Sequence, residues 1–394
     1  MRSTFGRMSS SLREVAVDAL PVEVRGAFEL DRTPGGVLPR RLPAWTRPQI
    51  PDLFMNTMIA LPSGVRIAFS TSSPVVELTV HTRTLHTVGS ELRLPIFQMT
   101  VDGAVQPDVV AEGGSFVHID RTKGPEGITF ENGGPSTLTW AGLGDHHKAI
   151  EIWLPTNASV EIQALRVAAG AEVTEAPRKP VRWTHYGSSI SHCMDVDRPF
   201  DAWPAQVAQR AGVELTSFGL AGQCQLDPFM GRVIGAHPAD VISLKLGINL
   251  VNANSMNQRT FTPAVHGLLD SIRDRQPTTP VLISSPIFCP MAEDHPGPTV
   301  PHADGGFTVV GAPAEVRPFP LTLQWIRGAL DFIVTSRREA GDANLHYVDG
   351  LSLFGEADQH LLYDRLHPSP EGYALLGRRF EAAAFGPGGP FSRG

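Results

Sequence analysis

The chain has 394 residues, which exceeds the usual size of one domain and predicts two. It is 42% hydrophobic and 19% charged, as in soluble globular proteins, and it has no apolar run long enough to cross a membrane. The formal net charge of −7 argues against nucleic acid or an anionic membrane surface as the main partner.

The first predicted domain, residues 1–175, is all-β. Apolar and polar residues alternate along its strands, as in Val65, Ile67 and Phe69, and Gly- and Pro-containing turns separate the short runs. This pattern predicts a β-sandwich of the jelly-roll type. The segment from Ala168 to Arg182 contains glycine and prolines and predicts an interdomain linker.

The second predicted domain, residues 181–394, alternates strands with helices. Apolar strands are predicted at 181–186, 213–218, 241–246, 281–287 and 345–348. Ser369 as N-cap and Pro370 at the first helical position open the last helix. The alternation predicts a three-layer, flavodoxin-like α/β domain with a mostly parallel sheet, in which ligands bind at the carboxyl ends of the strands.

One connection in this domain is unusually long. The proline-rich segment from Cys289 to Pro320 exceeds an ordinary loop, and it predicts a lid or specificity loop over the sheet edge.

Two groups after predicted strands carry reactive side chains. Tyr186-Gly187-Ser188-Ser189-Ile190-Ser191 places serines where a nucleophile can lie, although serine-rich turns also end ordinary strands. In Asp364-Arg365-Leu366-His367, a carboxylate three residues before the histidine can accept from Nδ1–H and leave Nε2 to take a serine proton. A local loop hydrogen bond is the alternative.

Two further groups offer hydrogen-bond donors. Gly222 lies at a strand-to-helix turn, where its backbone N–H can point at an oxyanion or where glycine merely satisfies the turn. Asn249 follows Gly247-Ile248 after another strand, and it is either a side-chain donor or a turn residue.

Taken in chain order, these four groups resemble the sequence blocks of the SGNH (GDSL-type) hydrolase superfamily over about residues 181 to 385. The resemblance implies Ser189 as nucleophile, His367 as base and Asp364 as its orienting carboxylate. It also implies an oxyanion hole from the Ser189 and Gly222 N–H groups and the Asn249 side chain. The chain departs from the family pattern in having serine before Ser189 and leucine after Asn249.

The N-terminal half resembles the β-sandwich of a two-domain actinobacterial SGNH group that includes an acyltransferase of antibiotic biosynthesis. Carbohydrate esterases with a sandwich before the hydrolase domain share this layout.

Other reactive residues are interpreted as outside the reacting groups. His185 and His192 flank the serines without an orienting carboxylate, so roles behind the reacting residues or at the surface are expected for them. Asp145-His146-His147 suits a solvated loop. The cysteines Cys193, Cys224 and Cys289 form no CxxC motif, so no disulfide framework and no metal are expected. Residues 1–20 have no apolar core of signal-peptide length, and the expected compartment is the cytoplasm.

The sequence therefore predicts a serine acyl-transfer enzyme without a bound cofactor. Its expected partners are a small-molecule acyl donor, such as an acyl-CoA thioester, and a hydroxyl acceptor, and we favour an O-acyltransferase acting on a natural product. A carbohydrate or small-molecule O-acyl esterase is the first alternative. A glycan-binding protein with an inactive hydrolase domain is the second.

Overall fold

A computed structural model describes residues 11–120, 122–311 and 319–392. The strands of the N-terminal half are β1 (Leu12–Val15), β2 (Glu23–Arg25), β3 (Glu29–Arg32), β4 (Val37–Arg40), β5 (Arg66–Thr71), β6 (Val75–Thr87), β7 (Ile96–Val101), β8 (Ala104–Val105), β9 (Val109–Val110), β10 (Ser115–Ile119), β11 (Ile128–Glu131), β12 (Ser136–Ala141), β13 (Lys148–Trp153), β14 (Ala158–Ala168) and β15 (Val173–Thr174). The later strands are β16 (Arg182–Gly187), β17 (Glu214–Gly219), β18 (Val241–Lys245), β19 (Val281–Ser284), β20 (Thr299–Pro301), β21 (Phe307–Val309) and β22 (Leu345–Val348).

The helices lie mostly in the C-terminal half. They are α1 (Leu53–Ala60), α2 (Ser189–His192), α3 (Trp203–Ala211), α4 (Pro228–Ala236), α5 (Ile248–Ala253), α6 (Gln258–Arg273), α7 (Leu323–Glu339), α8 (Gly350–Leu353) and α9 (Pro370–Phe385). Short 3-10 turns span Ala44–Gln49, Gly124–Gly127, Pro199–Asp201 and Glu356–Leu361. In the part of the chain that the structure describes, no helix is long and apolar enough to cross a membrane.

The N-terminal region is a sandwich of two mostly antiparallel sheets. One contains β11-β10-β6-β14-β4-β3 with β1 and β12, and the other contains β15-β5-β13-β7-β8 with β2 and β9. The alternation predicted for β5 holds, because Val65, Ile67 and Phe69 all lie in the apolar core between the sheets. Trp140 belongs to the same core.

The C-terminal region is built on a parallel five-stranded sheet in the order β17-β16-β18-β19-β22. This is the 2-1-3-4-5 order of flavodoxin-like folds, so the chain changes direction between β16 and β18 and leaves a crevice at their carboxyl ends. Ser189 follows β16 and Asn249 follows β18. Both therefore lie at the position where this class of sheet binds its ligands.

Two helical layers cover the sheet, which gives the three-layer α/β class that the sequence predicts. Tyr186 and Phe218 face a core shared with α4, α5, α6 and α7. Trp183 and Leu215 face the opposite core, which includes α3 and α9.

The N-terminal region contributes to both cores of the C-terminal region. Met55, Met58 and Ile59 of α1 are fully buried in the core that contains Phe218. Trp153 of β13 is buried in the other core. The predicted boundary between residues 175 and 181 remains a prediction, since apolar packing is continuous across it.

The predicted linker is not free in solution. Part of it forms β15, which pairs with β5. The Arg25 guanidinium also donates to the carbonyl oxygens of Ala176 and Pro177, at 2.7 and 3.0 Å. Backbone pairing and a buried arginine therefore fasten this segment to the sandwich.

Candidate active site

A chain of hydrogen bonds joins three of the predicted site residues. The Ser189 hydroxyl lies 2.9 Å from His367 Nε2, and His367 Nδ1 lies 2.7 Å from Asp364 Oδ2. Ser189 and His367 are half-buried, so the chain is open to a ligand at the serine end. Ser189 and His367 are 178 positions apart in the sequence, and the fold brings them together because β16 and β22, which precede them, belong to one parallel sheet.

The Asp364 carboxylate is held in place by the turn that carries His367. Its Oδ1 accepts from the backbone amides of His367 at 2.6 Å and Leu366 at 3.0 Å. Burial alone would raise the pKa of Asp364, but the bonds from the His367 ring and from these amides outweigh it and lower that pKa. The carboxylate is therefore ionised near neutral pH, where it fixes the ring tautomer that leaves Nε2 as the proton acceptor.

Ser189 is positioned by the end of β16 and the start of α2. The Ser188 hydroxyl caps the short helix by accepting from the Ile190 amide at 3.3 Å. Ser188 is fully buried, whereas Ser189 is the half-buried first residue of the helix. Of the serines in this group, Ser189 alone contacts His367 within the described residues.

Ser191 has a histidine partner of its own, but the pair is unsuited to catalysis. His185 Nε2 lies 2.8 Å from Ser191 Oγ, and its Nδ1 lies 2.7 Å from Ser243 Oγ. Burial, and then the nearby Lys245 charge, lowers the pKa of His185 to about 3. An enclosed, weakly basic histidine without a carboxylate partner is unsuited to act as the base, and its burial rules out the surface role that the sequence allowed.

Asn249 is oriented as a donor. Its Oδ1 accepts from the Cys224 backbone amide at 3.0 Å, which identifies the other side-chain atom as the Nδ2 amide group. The same bond ties the turn after β17, which carries Gly222, to the start of α5. Gly222 has a φ of 71°, and no described residue accepts from its backbone N–H or from that of Ser189. These are the three groups that the family resemblance assigns to an oxyanion hole.

The long segment after β19 contains an element that the sequence did not predict. Strands β20 and β21 form a hairpin. The Phe307 amide donates to the Asp364 carbonyl oxygen at 3.3 Å, and Asp304 forms an ion pair with Arg365. The hairpin is thus attached to the turn that carries His367; residues 312–318 of the predicted lid lie outside the described residues.

Aromatic rings surround the His367 imidazole. The Tyr363 ring stacks on it with centroids 6.1 Å apart, and the Phe307 ring meets it edge-on at 6.1 Å. Tyr363 remains 52% exposed, which leaves an apolar surface beside the histidine. The sequence indicated Phe307 only as an apolar residue of the predicted lid and did not indicate Tyr363, since the proximity of these rings to His367 depends on loop packing.

The N-terminal region donates hydrogen bonds to backbone carbonyl oxygens next to the site. The buried Arg41 guanidinium donates to the carbonyl oxygens of Gly219 at 2.7 Å and Ser217 at 3.3 Å. Ser63 donates to the carbonyl oxygen of His192 at 2.8 Å, at the end of α2. The sequence does not indicate a role for Arg41 or Ser63, because a lone arginine or serine gives no local signal of a distant partner.

The remaining candidates are structural in this arrangement. All three cysteines are buried and unpaired, and burial raises the pKa of the Cys224 and Cys289 thiols to about 12. His146 and His147 lie exposed in a turn, and the described residues contain no cluster of three or more side chains suited to a metal ion.

Comparison with known proteins agrees with this geometry. Residues 185–375 match the GDSL-like lipase/acylhydrolase family. The fold is similar to the salicylyl acyltransferase SsfX3 of a tetracycline biosynthetic pathway, with 24% identity, a TM-score of 0.77, and coverage of 93% of this chain and 95% of the other. No curated protein matches the chain by sequence.

Two other structures share the whole layout. A protein from Bacteroides ovatus, described as a GDSL-like lipase, has 17% identity and a TM-score of 0.64, with coverage of 94% of this chain and 96% of the other. A family two carbohydrate esterase from Cellvibrio japonicus has 9% identity and a TM-score of 0.55, covering 94% and 96%. At these identities the similarity concerns the fold.

Residues 185–375 therefore belong to the GDSL-like lipase/acylhydrolase family, and the solved structures show that the chain shares its whole fold with SGNH (GDSL-type) proteins. Within it, the chain resembles the two-region architecture of SsfX3, a sandwich followed by the hydrolase fold.

Proposed function

We propose that the protein is a serine O-acyltransferase that works through an acyl-Ser189 intermediate. It moves an acyl group from an activated thioester, such as an acyl-CoA, to a hydroxyl of a small natural product. The observation that carries this proposal is the chain from Ser189 Oγ through His367 to Asp364, with spacings of 2.9 and 2.7 Å.

The first half-reaction follows from those positions. His367 Nε2 takes the Ser189 proton as Oγ forms a bond to the acyl carbon, and Asp364 stabilises the resulting imidazolium. The Ser189 and Gly222 amides and Asn249 Nδ2 stabilise the negative oxygen of the tetrahedral intermediate. The carbon–sulfur bond then breaks, and the departing thiolate takes the proton from His367.

The second half-reaction decides the activity. His367 removes a proton from an incoming hydroxyl, whose oxygen bonds to the acyl carbon while Ser189 Oγ leaves and regains a proton. If the hydroxyl belongs to an alcohol the reaction is transfer, and if it belongs to water the reaction is hydrolysis. Water is present at about 55 M, but a well-oriented acceptor can reach an effective concentration of about 10⁵ M.

Two observations favour transfer. The similarity to SsfX3 extends over the sandwich as well as the hydrolase fold. The β20–β21 hairpin lies against His367 through Phe307, where it can keep water from the acyl-enzyme. The acceptor and the acyl-CoA donor remain part of the proposal.

An O-acyl esterase is the second candidate, because a carbohydrate esterase shares both regions of the fold. An inactive glycan-binding protein is a poorer fit, since a serine, a histidine and a carboxylate are in hydrogen-bond contact.

A fluorophosphonate probe tests the nucleophile. We expect wild type and Ser191→Ala to be labelled and Ser189→Ala to remain unlabelled while folding normally. Ser191 provides a matched control because it lies two residues away and bonds a different histidine. Labelling of the Ser189→Ala protein at another serine would contradict the assignment.

A partition assay separates transfer from hydrolysis. An activated acyl thioester is supplied with a panel of polyhydroxylated polycyclic alcohols, and free acid and acylated product are measured together. Wild type should give acylated product in excess of free acid with at least one acceptor. Free acid alone across the panel would favour the esterase.

A further inference from the structure

We propose that Phe54, on the first turn of α1 in the N-terminal region, contacts the acyl group of the substrate and favours apolar acyl groups larger than acetyl. This inference rests on the proposed acyl-Ser189 mechanism. It assigns acyl selectivity to a residue that lies outside residues 185–375, the part of the chain that matches the hydrolase family.

The Phe54 ring lies directly against the proposed oxyanion turn. A Cβ atom at Gly222 would come within 2.7 Å of Phe54 Cε1 and 3.4 Å of its Cζ. The ring edge therefore occupies the space above the Gly222 backbone, beside the N–H group assigned to the oxyanion hole. A substrate whose carbonyl oxygen reaches that N–H must pass close to the ring.

The first turn of α1 is apolar and uncovered. Phe54 is 50% exposed and Leu53 is 76% exposed, whereas Met55 and Met58 on the same helix are fully buried. Exposed large apolar side chains next to a polar reaction centre mark a surface that a ligand covers. This surface consists of Leu53 and Phe54.

The position of the ring is fixed by the fold. Asp52 caps α1 by accepting from the Met55 amide at 2.7 Å. The buried Arg41 guanidinium joins the helix to β17, because it donates both to the Met58 carbonyl oxygen at 2.5 Å and to that of Gly219 at 2.7 Å. Helix α1 and the Gly222 turn are therefore held together, so the Phe54 ring has a fixed position beside that turn before a substrate binds.

The positions of the reacting groups indicate that the Phe54 ring contacts the acyl group and not the acceptor. The leaving atom and the incoming hydroxyl must both lie within hydrogen-bond reach of His367 Nε2, so the acceptor lies beside the rings of Tyr363 and Phe307. Phe54 contacts the oxyanion turn, whose Gly222 N–H receives the carbonyl oxygen. The Phe54 ring can therefore contact the acyl substituent, which stays attached to Ser189 between the two half-reactions.

The test compares two esters with one leaving group. Turnover of p-nitrophenyl acetate and p-nitrophenyl hexanoate is measured for wild type, Phe54→Ala, Phe54→Leu and Phe332→Ala. Phe332 is a matched control, since it is a 70% exposed phenylalanine on α7. Phe54→Ala should lose about tenfold or more in kcat/KM on hexanoate, the scale of lost apolar contacts in a pocket, and stay within about twofold on acetate.

Phe54→Leu should retain much of the hexanoate preference, and Phe332→Ala should leave both esters unchanged. An equal loss on both esters, or no change in their ratio, would overturn the inference; so would the same change of ratio in Phe332→Ala. If Phe54→Ala fails to fold, Phe54→Gln replaces it, because glutamine favours the helix but offers a polar surface; its hexanoate-to-acetate ratio should fall, and an unchanged ratio counts against the proposal. Fluorophosphonate labelling of Ser189 in wild type reports the proposed mechanism separately, so either idea can fail alone.

Discussion

At the scale of single residues, Asn249 carries two hydrogen-bonding tasks that can be separated. Its Oδ1 anchors the Cys224 amide, while its Nδ2 is the proposed oxyanion donor. Asn249→Asp keeps an oxygen for Cys224 and removes the donor, whereas Asn249→Ala removes both.

We expect Asn249→Asp to lower kcat by about 10²–10³ with KM little changed, the usual size for loss of one oxyanion donor. Asn249→Ala should show a comparable loss of kcat together with a lower Tm, because the buried Cys224 amide is left without an acceptor. Steady-state kinetics and thermal unfolding measure the two effects. Near-full kcat in both variants would make Asn249 a turn residue only.

Two buried histidines and one half-buried histidine make stability depend on pH. Burial lowers the pKa of His185 and His192 to about 3 and that of His237 to about 4, from an ordinary value of 6.5. Between those values the unfolded chain binds protons that the folded chain cannot, so stability rises with pH in this window and is lost as pH falls below 6.5. Above 6.5 these groups contribute no pH dependence.

We expect the free energy of unfolding to fall by about 1.4 kcal/mol per pH unit for each such histidine between pH 6 and pH 4.5. His192→Gln should reduce that slope by one histidine's share, because glutamine can still donate to the Thr156 carbonyl oxygen that His192 contacts at 3.0 Å. Urea unfolding at several pH values provides the measurement. A slope identical to that of wild type would mean that His192 accepts a proton in the folded state.

At the scale of elements, the β20–β21 hairpin is a part of the site that lies outside the parallel sheet, and the Thr299 hydroxyl of β20 donates to Asn252 Oδ1 of α5 at 3.0 Å. It is attached to the catalytic turn by the Phe307 amide and by the Asp304–Arg365 ion pair. This attachment places an apolar ring beside His367 while the sheet holds Ser189.

Replacing residues 299–309 by a short Gly/Ser loop should lower the ratio of transfer to hydrolysis and leave ester hydrolysis measurable. Water then reaches the acyl-enzyme, and the acceptor loses the surface that orients it. The partition assay gives the ratio, and Asp304→Asn, which removes only the exposed ion pair, is the milder control. An unchanged ratio in the loop variant would show that the hairpin does not control water access.

The elements also show what a single sequence can and cannot predict. Apolar runs and turn residues located β16, β17, β18 and β22 to within about a residue or two, because each strand has a strong local pattern. The hairpin was missed because β20 and β21 have three residues each and little periodicity. Residues such as Phe54 and Arg41 were missed because their roles depend on partners more than 150 residues away.

At the scale of the whole molecule, the two regions share a buried boundary that is polar as well as apolar. Arg66 is fully buried, forms an ion pair with Glu214, and donates to the Leu215 carbonyl oxygen at 3.0 Å. Removing one partner of a buried charge pair is strongly destabilising, because the other charge stays desolvated. The sandwich is therefore part of the folding unit of the C-terminal region.

Because every predicted catalytic residue lies beyond Arg182, the sequence predicts that residues 183–394 alone, if soluble, still hydrolyse a short activated ester. The contacts favour a different outcome, because this fragment would lose the Phe28 ring that contacts Phe218, with centroids 5.4 Å apart, and the Arg41 bonds to the end of β17. We expect residues 183–394 to be insoluble or to lack a cooperative unfolding transition.

A full-length chain cleaved at a protease site inserted after Gly170, an exposed turn residue, should keep both pieces associated and active. Soluble yield, thermal unfolding and p-nitrophenyl acetate turnover are measured for the fragment and for the cleaved chain. A fragment that unfolds cooperatively and keeps full turnover would contradict this expectation and restrict the role of the sandwich to substrate binding.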